Sequence, residues 1–316
     1  MAVYTQVSAE ALGGFLARYD HGELVSAKGI AEGVENSNYM VDTTRGRFIL
    51  TLYEKRVSAD DLPFFMAMLD HLADRGNLVP RALPDRDGVL IQTLEGRPAC
   101  LIEFLSGVSV SFPTPAQARA AAAALGALHR DLGDFAGTRP NALGVASWRP
   151  LLERCGSALD GIAPGLFARI DTALATVEAQ WPHDLPRAAI HADLFPDNVL
   201  MLGDRVTGLI DFYFACTEIR AYDLAVMHGS WAFDAAGMPL DPAVGTALIE
   251  GYTDSFSLSP AERAALPVLA CGACIRFLLT RAWDWLNTPA DALVTRKDPL
   301  AYLRRLEAYQ CRDLFA

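Results

Sequence analysis

The sequence has no apolar stretch of the ~20 residues needed to span a bilayer. Met1 to Glu10 carries neither a basic cluster nor an apolar core of the kind a secretion signal uses. Positive charge is in deficit: 38 Asp and Glu against 27 Lys and Arg give a formal net charge of −11. The basic footprint of a nucleic-acid partner is therefore missing, and so is attraction to an anionic membrane surface. A phosphorylated small ligand is still allowed, because local charge decides that. Internal repeats and low-complexity linkers are absent. Cysteine is sparse and scattered, at Cys100, Cys155, Cys216, Cys271, Cys274 and Cys311, which reads as reduced core thiols in a cytosolic protein. Cys271 and Cys274 have metal-knuckle spacing, but no second pair stands near them. They read as structural residues of the apolar run Leu266 to Leu286. What remains is a chain of 316 residues, 52% hydrophobic and 21% charged, enough for one large or two ordinary domains with a sizeable core.

Periodicity divides the chain. Ala9 to Tyr19 reads as an amphipathic helix, and Leu24 to Ala31, Tyr39 to Thr43 and Arg47 to Tyr53 as strands, with Arg45-Gly46 turning between the last two. Asp61 to Arg75 reads as a helix that Gly76 ends. Val89 to Thr93 and Ala99 to Phe104 read as further strands. Beyond Gly107 the pattern turns helical, over Pro115 to Leu132, Ser147 to Leu159, Leu166 to Trp181, Asp241 to Ser255 and Pro260 to Leu286, interrupted by one small hairpin. Strands with one prominent helix, then a helical half, predict an α+β chain in two lobes. Residues 1–102 form the small lobe, 103–107 the hinge and 108–316 the helical lobe. Glu103 and Leu105 in the hinge are candidates for meeting a nucleotide.

The chemistry is concentrated in His191-Ala192-Asp193-Leu194-Phe195-Pro196-Asp197-Asn198, followed by a turn at Gly203-Asp204 and then Leu209-Ile210-Asp211-Phe212. The spacing is that of a phosphoryl-transfer site. Asp193 would accept the proton of an acceptor hydroxyl. Asn198, five residues on, and Asp211, at the end of the next strand, would hold Mg2+ against the phosphates of ATP. Ala192 stands where protein kinases carry Arg, which points to small-molecule kinases of the same fold. Correctly typed residues at fixed offsets with a hairpin between them are a strong signal; a lone Asp-Phe pair would be weak.

Glu32 to Asn38 joins the first two strands; Gly33, Asn36, Ser37 and Asn38 permit a turn that exposes N–H groups to phosphates. It is not a G-x-G-x-x-G loop, and alone it would be an ordinary hairpin turn. His129-Arg130-Asp131-Leu132 imitates a catalytic loop, but Ala136 occupies the place of the metal-binding Asn, so it reads as helix termination and packing. Arg276 and Arg281 lie in an apolar helical run, where a charge must be paired or face a cleft. They are either structural, with Arg281 reaching Asp284, or an anion site for a substrate carboxylate. Tyr213 would share a strand face with Asp211 if the strand continues, and either approaches the acceptor or packs.

Taken together, EGVENSNYMV (32–41), FILTLYEKRVSADDLPFF (48–65), RPNALGV (139–145), HADLFPDNVL (191–200), GLIDFYFAC (208–216), AYDLAV (221–226) and RFLLTRAWDWLNTPADALVTRKDPLAYLR (276–304) resemble the bacterial homoserine kinases of the aminoglycoside-phosphotransferase-like type, over nearly the whole chain. The resemblance implies a protein-kinase-like fold, ATP and Mg2+ as cofactors, homoserine as the partner, Asp193 as base, Asn198 and Asp211 as metal ligands, and the 32–38 turn over the phosphates. One departure stands out. The third strand of such kinases carries a Lys for the phosphates, and Thr51 occupies that place, with Lys55, Arg56 or Lys28 the possible substitutes. His228-Gly229-Ser230 is atypical and could alter acceptor choice. The competing readings are a kinase for an aminoglycoside or a choline-like amine, and a catalytically silent nucleotide-binding regulator. Oligomeric state and the choice between ATP and GTP stay open.

Overall fold

The computed structural model describes residues 5–30, 36–54, 58–288 and 296–315. The chain divides into two compact units, Met1–Ser106 and Gly107–Ala316.

In the first unit the elements run α1 (Ala9–Leu16), β1 (Leu24–Ile30), β2 (Asn36–Thr43), β3 (Gly46–Tyr53), α2 (Leu62–Asp74), β4 (Ala82–Leu83), β5 (Gln92–Leu94) and β6 (Arg97–Glu103). The strands form an antiparallel sheet in the order β1-β2-β3-β6-β4, with β5 also on β6. Alternation along β2, β3 and β6 buries Tyr39, Val41, Leu50, Leu52, Ala99 and Leu101 in one cluster with Leu12, Phe15 and Leu16 of α1. Ser8 caps α1 through its side chain, and the helix ends at Leu16 rather than continuing to Tyr19. The strand expected over Val89 to Thr93 begins only at Gln92. Asp85 is the reason: its carboxylate accepts the N–H groups of Asp87 and Val89 and folds that stretch into a loop.

In the second unit the order is α3 (Pro115–Asp131), α4 (Val145–Cys155), α5 (Leu166–Gln180), β7 (Arg187–Ile190), β8 (Val199–Leu202), β9 (Arg205–Leu209), β10 (Cys216–Ile219), α6 (Arg220–Trp231), α7 (Pro242–Ser255), α8 (Pro260–Asn287) and α9 (Leu300–Cys311). Capping boxes start α3 at Thr114 and α8 at Ser259, each with Pro at the first helical position. Periodicity does not announce α6, α9, β7 or β10. Every residue of α6 from Ala221 to Trp231 is buried, so the helix has no polar face to generate a period.

α8 runs for 28 residues and is, by length and composition, apolar enough to cross a membrane, contrary to the expectation that no stretch reaches that length. It packs as the core helix of its unit, against α4, α5, α6 and α9. Its Gly272 makes room for Trp148 and Trp181, which meet edge to face at 5.1 Å; a Cβ there would stand 2.7 Å from Trp148. Cys271 and Cys274 lie on the same helix, and burial pushes the Cys271 thiol up to about 11. Among the described residues no group of three or more His, Cys, Asp or Glu forms a metal cage.

α3 and α7 approach unusually closely because Gly126 and Gly251 face the partner backbone. A Cβ on Gly126 would lie 2.7 Å from the Tyr252 carbonyl oxygen, and one on Gly251 would overlap the Arg119 carbonyl. The contact is backbone against backbone, so no rotamer change relieves it. Gly251→Ala should gain about 1 kcal/mol of helix propensity and lose more to overpacking, about 1–3 kcal/mol. Urea denaturation is expected to show a net loss; a more stable variant would mean that the helices separate freely.

Candidate active site

β7 pairs antiparallel with β10, Ile190 opposite Cys216, and delivers the chain into the loop that begins at His191. The loop reverses at Ala192, whose φ of 63° is left-handed. For a residue with a Cβ that conformation costs about 1–2 kcal/mol, so the surroundings must hold it. They do so through nearly every backbone group of the loop. The Asp223 carboxylate on α6 accepts the N–H of His191 at 2.7 Å and that of Ala192 at 2.8 Å. His191 Nδ1 accepts the N–H of Asp193 at 3.2 Å. The Ala192 carbonyl accepts from Arg276 Nη1 at 2.6 Å, and the Leu194 carbonyl from Trp231 Nε1 at 3.0 Å.

His191 is fully buried, and its Nε2 lies 3.0 Å from the Ile210 carbonyl. Only the tautomer with its proton on Nε2 makes both ring bonds. Burial holds its pKa below the ordinary imidazole value. The ring therefore ties the 191 loop to the residue preceding Asp211 as a neutral group.

Asp223 is also completely buried. Burial alone would raise its pKa, but the hydrogen bond to His129 Nε2 at 3.1 Å, with the charges and N–H groups around it, holds the carboxyl below the usual range. His129 Nδ1 in turn meets the Tyr252 hydroxyl at 2.8 Å. The 129–132 segment does end α3, as expected, but its histidine reaches the layer beneath the catalytic loop. Asp223, His129 and Trp231 are site residues that the motif spacing does not single out. The one signal available in the sequence is a carboxylate inside the apolar stretch Tyr222 to Val226, since a buried charge requires partners.

Asp193 itself is half-buried. Burial pushes its carboxyl up to about 8; Arg276 opposes the shift, and Asp211 and Asp197 add to it by repulsion. Asn198 sits on a 3-10 turn, Pro196–Asn198. Its Nδ2 donates to the Asp193 carbonyl at 2.8 Å and lies 3.5 Å from Asp193 Oδ2. The β8–β9 hairpin pairs Val199 with Leu209, so the residues flanking its open end are neighbours, and the Ile210 N–H donates to the Asn198 carbonyl at 3.0 Å. Asp211 follows with a left-handed φ of 66°. The structure thus brings Asp193, Asn198 and Asp211 together at one end of a hairpin. Tyr213 is different from expectation: β9 ends at Leu209 and residues Phe212–Phe214 form a 3-10 turn, so it shares no strand face with Asp211. The left-handed turn at Asp211 is what stops the strand.

Arg276 and Arg281 separate in role. Arg276 is buried, packed over Phe277 and Phe214, and committed to the Ala192 carbonyl. Arg281 lies with its guanidinium 4.5 Å from the Tyr302 ring centre and a long 3.4 Å bond to the Asp298 carbonyl. Burial lowers its pKa, with Tyr302 and Asp193 acting against that. His228 contacts Tyr309 and Phe315 inside the unit.

In the first unit Gly33, Lys55 and Arg56 lie outside the described residues. Asn36, Ser37 and Asn38 open β2. The Asn36 side-chain oxygen accepts the Glu54 N–H at 3.4 Å, Ser37 donates to Glu54 at 2.8 Å, and Asn38 accepts from Thr51 at 2.7 Å. Thr51, in the place of the strand lysine, is buried. Lys28 stands on β1 opposite Met40. Glu103 accepts the N–H of Arg81 at 3.0 Å, and Leu105 lies in the segment after β6.

A model of the phosphotransferase enzyme family matches residues 26–266. The chain is 51% identical to the homoserine kinase of Allorhizobium ampelinum over 316 residues, 100% of this chain and 98% of that protein. It is 54% identical to the homoserine kinase of Methylorubrum populi over 306 residues, 97% of this chain and 95% of that one. Among solved structures, the amicoumacin kinase in complex with AMP-PNP and Ca2+ aligns with a TM-score of 0.72 at 15% identity, covering 98% of this chain and 95% of that chain, a likeness of fold.

The raised pKa of Asp193 has a consequence for stability. Its ordinary value is 3.8 and its folded value about 8. Between those values the folded protein keeps a proton that the unfolded chain has released, so stability falls as pH rises through that window and the loss is complete above about 8. Asp193→Asn removes the loss. With a chelator present, its melting temperature is expected to exceed the parent's at pH near 8, and the gap to close toward about pH 4. A gap that does not depend on pH would show that burial leaves this carboxyl untouched.

Proposed function

We propose a specific reaction for this chain, which belongs to the phosphotransferase enzyme family: transfer of the γ-phosphoryl group of ATP to the side-chain hydroxyl of L-homoserine, giving O-phospho-L-homoserine on the route to threonine. One observation carries the reading. Asn198 binds the backbone of Asp193 and, through its own carbonyl, the residue before Asp211, so the three groups that phosphoryl transfer needs share one rigid frame. The choice of acceptor is supported by relatives of 51–54% identity over nearly the full chain that bear that name.

In this reading Asp193 orients the acceptor hydroxyl and takes its proton. Burial raises the proton affinity of the Asp193 carboxyl, so that once ionised it is a stronger base than an ordinary carboxylate. Asn198 and Asp211 would hold Mg2+, which supplies charge neutralisation at the phosphates. The donors fit such an ion. With the Asn198 side-chain nitrogen committed to Asp193 and its backbone carbonyl to Ile210, its side-chain Oδ1 is the oxygen that would meet a cation, and two protein oxygens without a closed cage suit a metal that completes its shell with phosphate oxygens and water. Backbone N–H groups around Gly33 are the candidates for the phosphates, since the side chains of Asn36, Ser37 and Asn38 are engaged with Glu54 and Thr51, and Glu103 and Leu105 are the candidates for the base. Positioning and electrostatics do most of the work, as phosphoryl transfer requires little covalent help. Tyr213 is a further acceptor-side candidate.

Homoserine carries a carboxylate that must be kept from the γ-phosphate. Arg281 suits that task better than Arg276, because its guanidinium rests on an aromatic face with one long carbonyl bond, whereas Arg276 is spent on the loop. A cationic acceptor such as choline would find this cation repulsive.

Coupled ADP-release assays on homoserine, threonine, serine, choline and kanamycin test the acceptor. Homoserine should be preferred; turnover of choline or kanamycin without homoserine sinks the proposal, and nucleotide binding without turnover on any of them would favour a silent regulator. Arg281→Met is expected to raise the homoserine KM about 10–100-fold, the loss of a charge-assisted hydrogen bond, with the ATP KM unchanged. Homoserinol, which lacks the carboxylate, should lose its disadvantage relative to homoserine in that variant. Asp193→Asn should lower turnover by about 10²-fold or more while ATP affinity barely changes, and Asp211→Asn should abolish Mg2+-dependent nucleotide binding. Equal losses of ATP affinity in the two Asp variants would overturn this division of labour.

A further inference from the structure

We infer that Arg276 is a positioning residue for the reaction, holding the Ala192 carbonyl so that the left-handed turn of the catalytic loop aims the Asp193 carboxylate; the inference rests on Asp193 as the base. The loop's N–H groups and its carbonyls are secured from different sides. Asp223 on α6 takes the N–H groups of His191 and Ala192. The carbonyl of Ala192 belongs to the peptide unit that leads into Asp193, and its partner is the Arg276 Nη1 of α8, at 2.6 Å. Ala192 has a φ of 63°, a conformation that its Cβ disfavours. With the Ala192 N–H held by Asp223, relief of that φ means turning about the N–Cα bond of Ala192, which swings its carbonyl and redirects Asp193. A hydrogen bond from a fixed cation opposes the rotation.

The donor is itself fixed. Arg276 is 2% exposed. Its guanidinium lies 4.5 Å from the Phe277 ring centre and 5.6 Å from that of Phe214, and its backbone is in the middle of α8. Phe214 follows Asp211 by three residues, so the same guanidinium packs against the segment that carries the second candidate metal ligand. Methionine, neutral and shorter, would fill part of the space without bonding the carbonyl. Lysine would offer one N–H in roughly the same place without the planar fork.

The experiment compares Arg276→Met, Arg276→Lys and Ala192→Gly, singly and with Ala192→Gly added to Arg276→Met. Glycine accepts a positive φ at no steric cost, so a loop carrying Ala192→Gly needs less restraint. Arg276→Met is expected to lower kcat about 10–100-fold, as displacement of a catalytic group by ~1 Å does, with the homoserine KM within about 3-fold of the parent. Arg276→Lys should recover part of kcat. Ala192→Gly alone is the reference for the double variant, and added to Arg276→Met it should restore part of the kcat that Arg276→Met loses relative to that reference. In nucleotide-free protein, backbone hydrogen exchange over residues 191–195 should quicken in Arg276→Met while that of α3 and α7 holds. A homoserine KM raised ten-fold or more with kcat kept would overturn the inference and make Arg276 an acceptor contact. A lowered melting temperature with parental kcat in the folded protein, or no rescue by Ala192→Gly, would overturn it in favour of packing alone. Should Arg276→Met fail to fold, the Arg276→Lys kcat and its exchange over 191–195 decide, parental values for both overturning the inference. Asp193→Asn is run alongside: parental turnover in that variant refutes the base assignment, whatever Arg276 does.

Discussion

The buried carboxylate of Asp223 is the constraint around which the second unit is arranged. A charge this deep would be prohibitive alone. It is tolerated because it accepts two backbone N–H groups and a histidine N–H, each a charge-assisted bond worth about 1.5–3 kcal/mol. The N–H groups it accepts are those of a loop that could not otherwise satisfy them, since the loop belongs to no sheet or helix. Helix and loop therefore solve each other's problem. The histidine extends the arrangement to α3 and, through Tyr252, to α7, and the glycines at 126 and 251 allow those helices to come close enough for it.

α8 plays the complementary part. By length and composition it is apolar enough to cross a membrane, yet its C-terminal half carries Arg276 and Arg281. Five residues separate Arg276 from Arg281, about 7.5 Å of rise, so one rigid rod touches the loop carbonyl at one level and the Tyr302 face at another. A helix that were only core would not carry these charges. Membership of the phosphotransferase family agrees with a frame in which the small lobe is sheet and the catalytic loop belongs to the helical unit.

Much of this is legible in the sequence. The spacing from His191 to Asn198 and on to Asp211 reports the site, because a hairpin of fixed length must return the chain to where it left. The β1 to β3 meander and α3 are readable from alternation, turn residues and capping. What escapes has physical reasons. α6 is buried on all sides, so it shows no helical period, and Asp223 and Trp231 act on residues 32 and 37 positions away, a relation no local pattern encodes. Tyr213 departs from its expected strand because a left-handed aspartate ends the strand early, and the Val89 stretch because one carboxylate, Asp85, competes for its N–H groups. The roles of Arg276 and Arg281 are separable only once their partners are visible.

The fixed tautomer of His191 has a further consequence. Both ring nitrogens are engaged and burial disfavours the charged form; His228, elsewhere in the unit, is likewise held down to about 4 by burial. Burial favours the neutral form of both rings while the fold is closed, which works against a magnetic resonance shift that moves with pH near neutrality. A ring signal that begins to titrate there would be a direct marker of opening. For His191 the open form gains a proton that the closed form refuses, so mild acid selectively populates the molecules in which the loop has come away from Ile210.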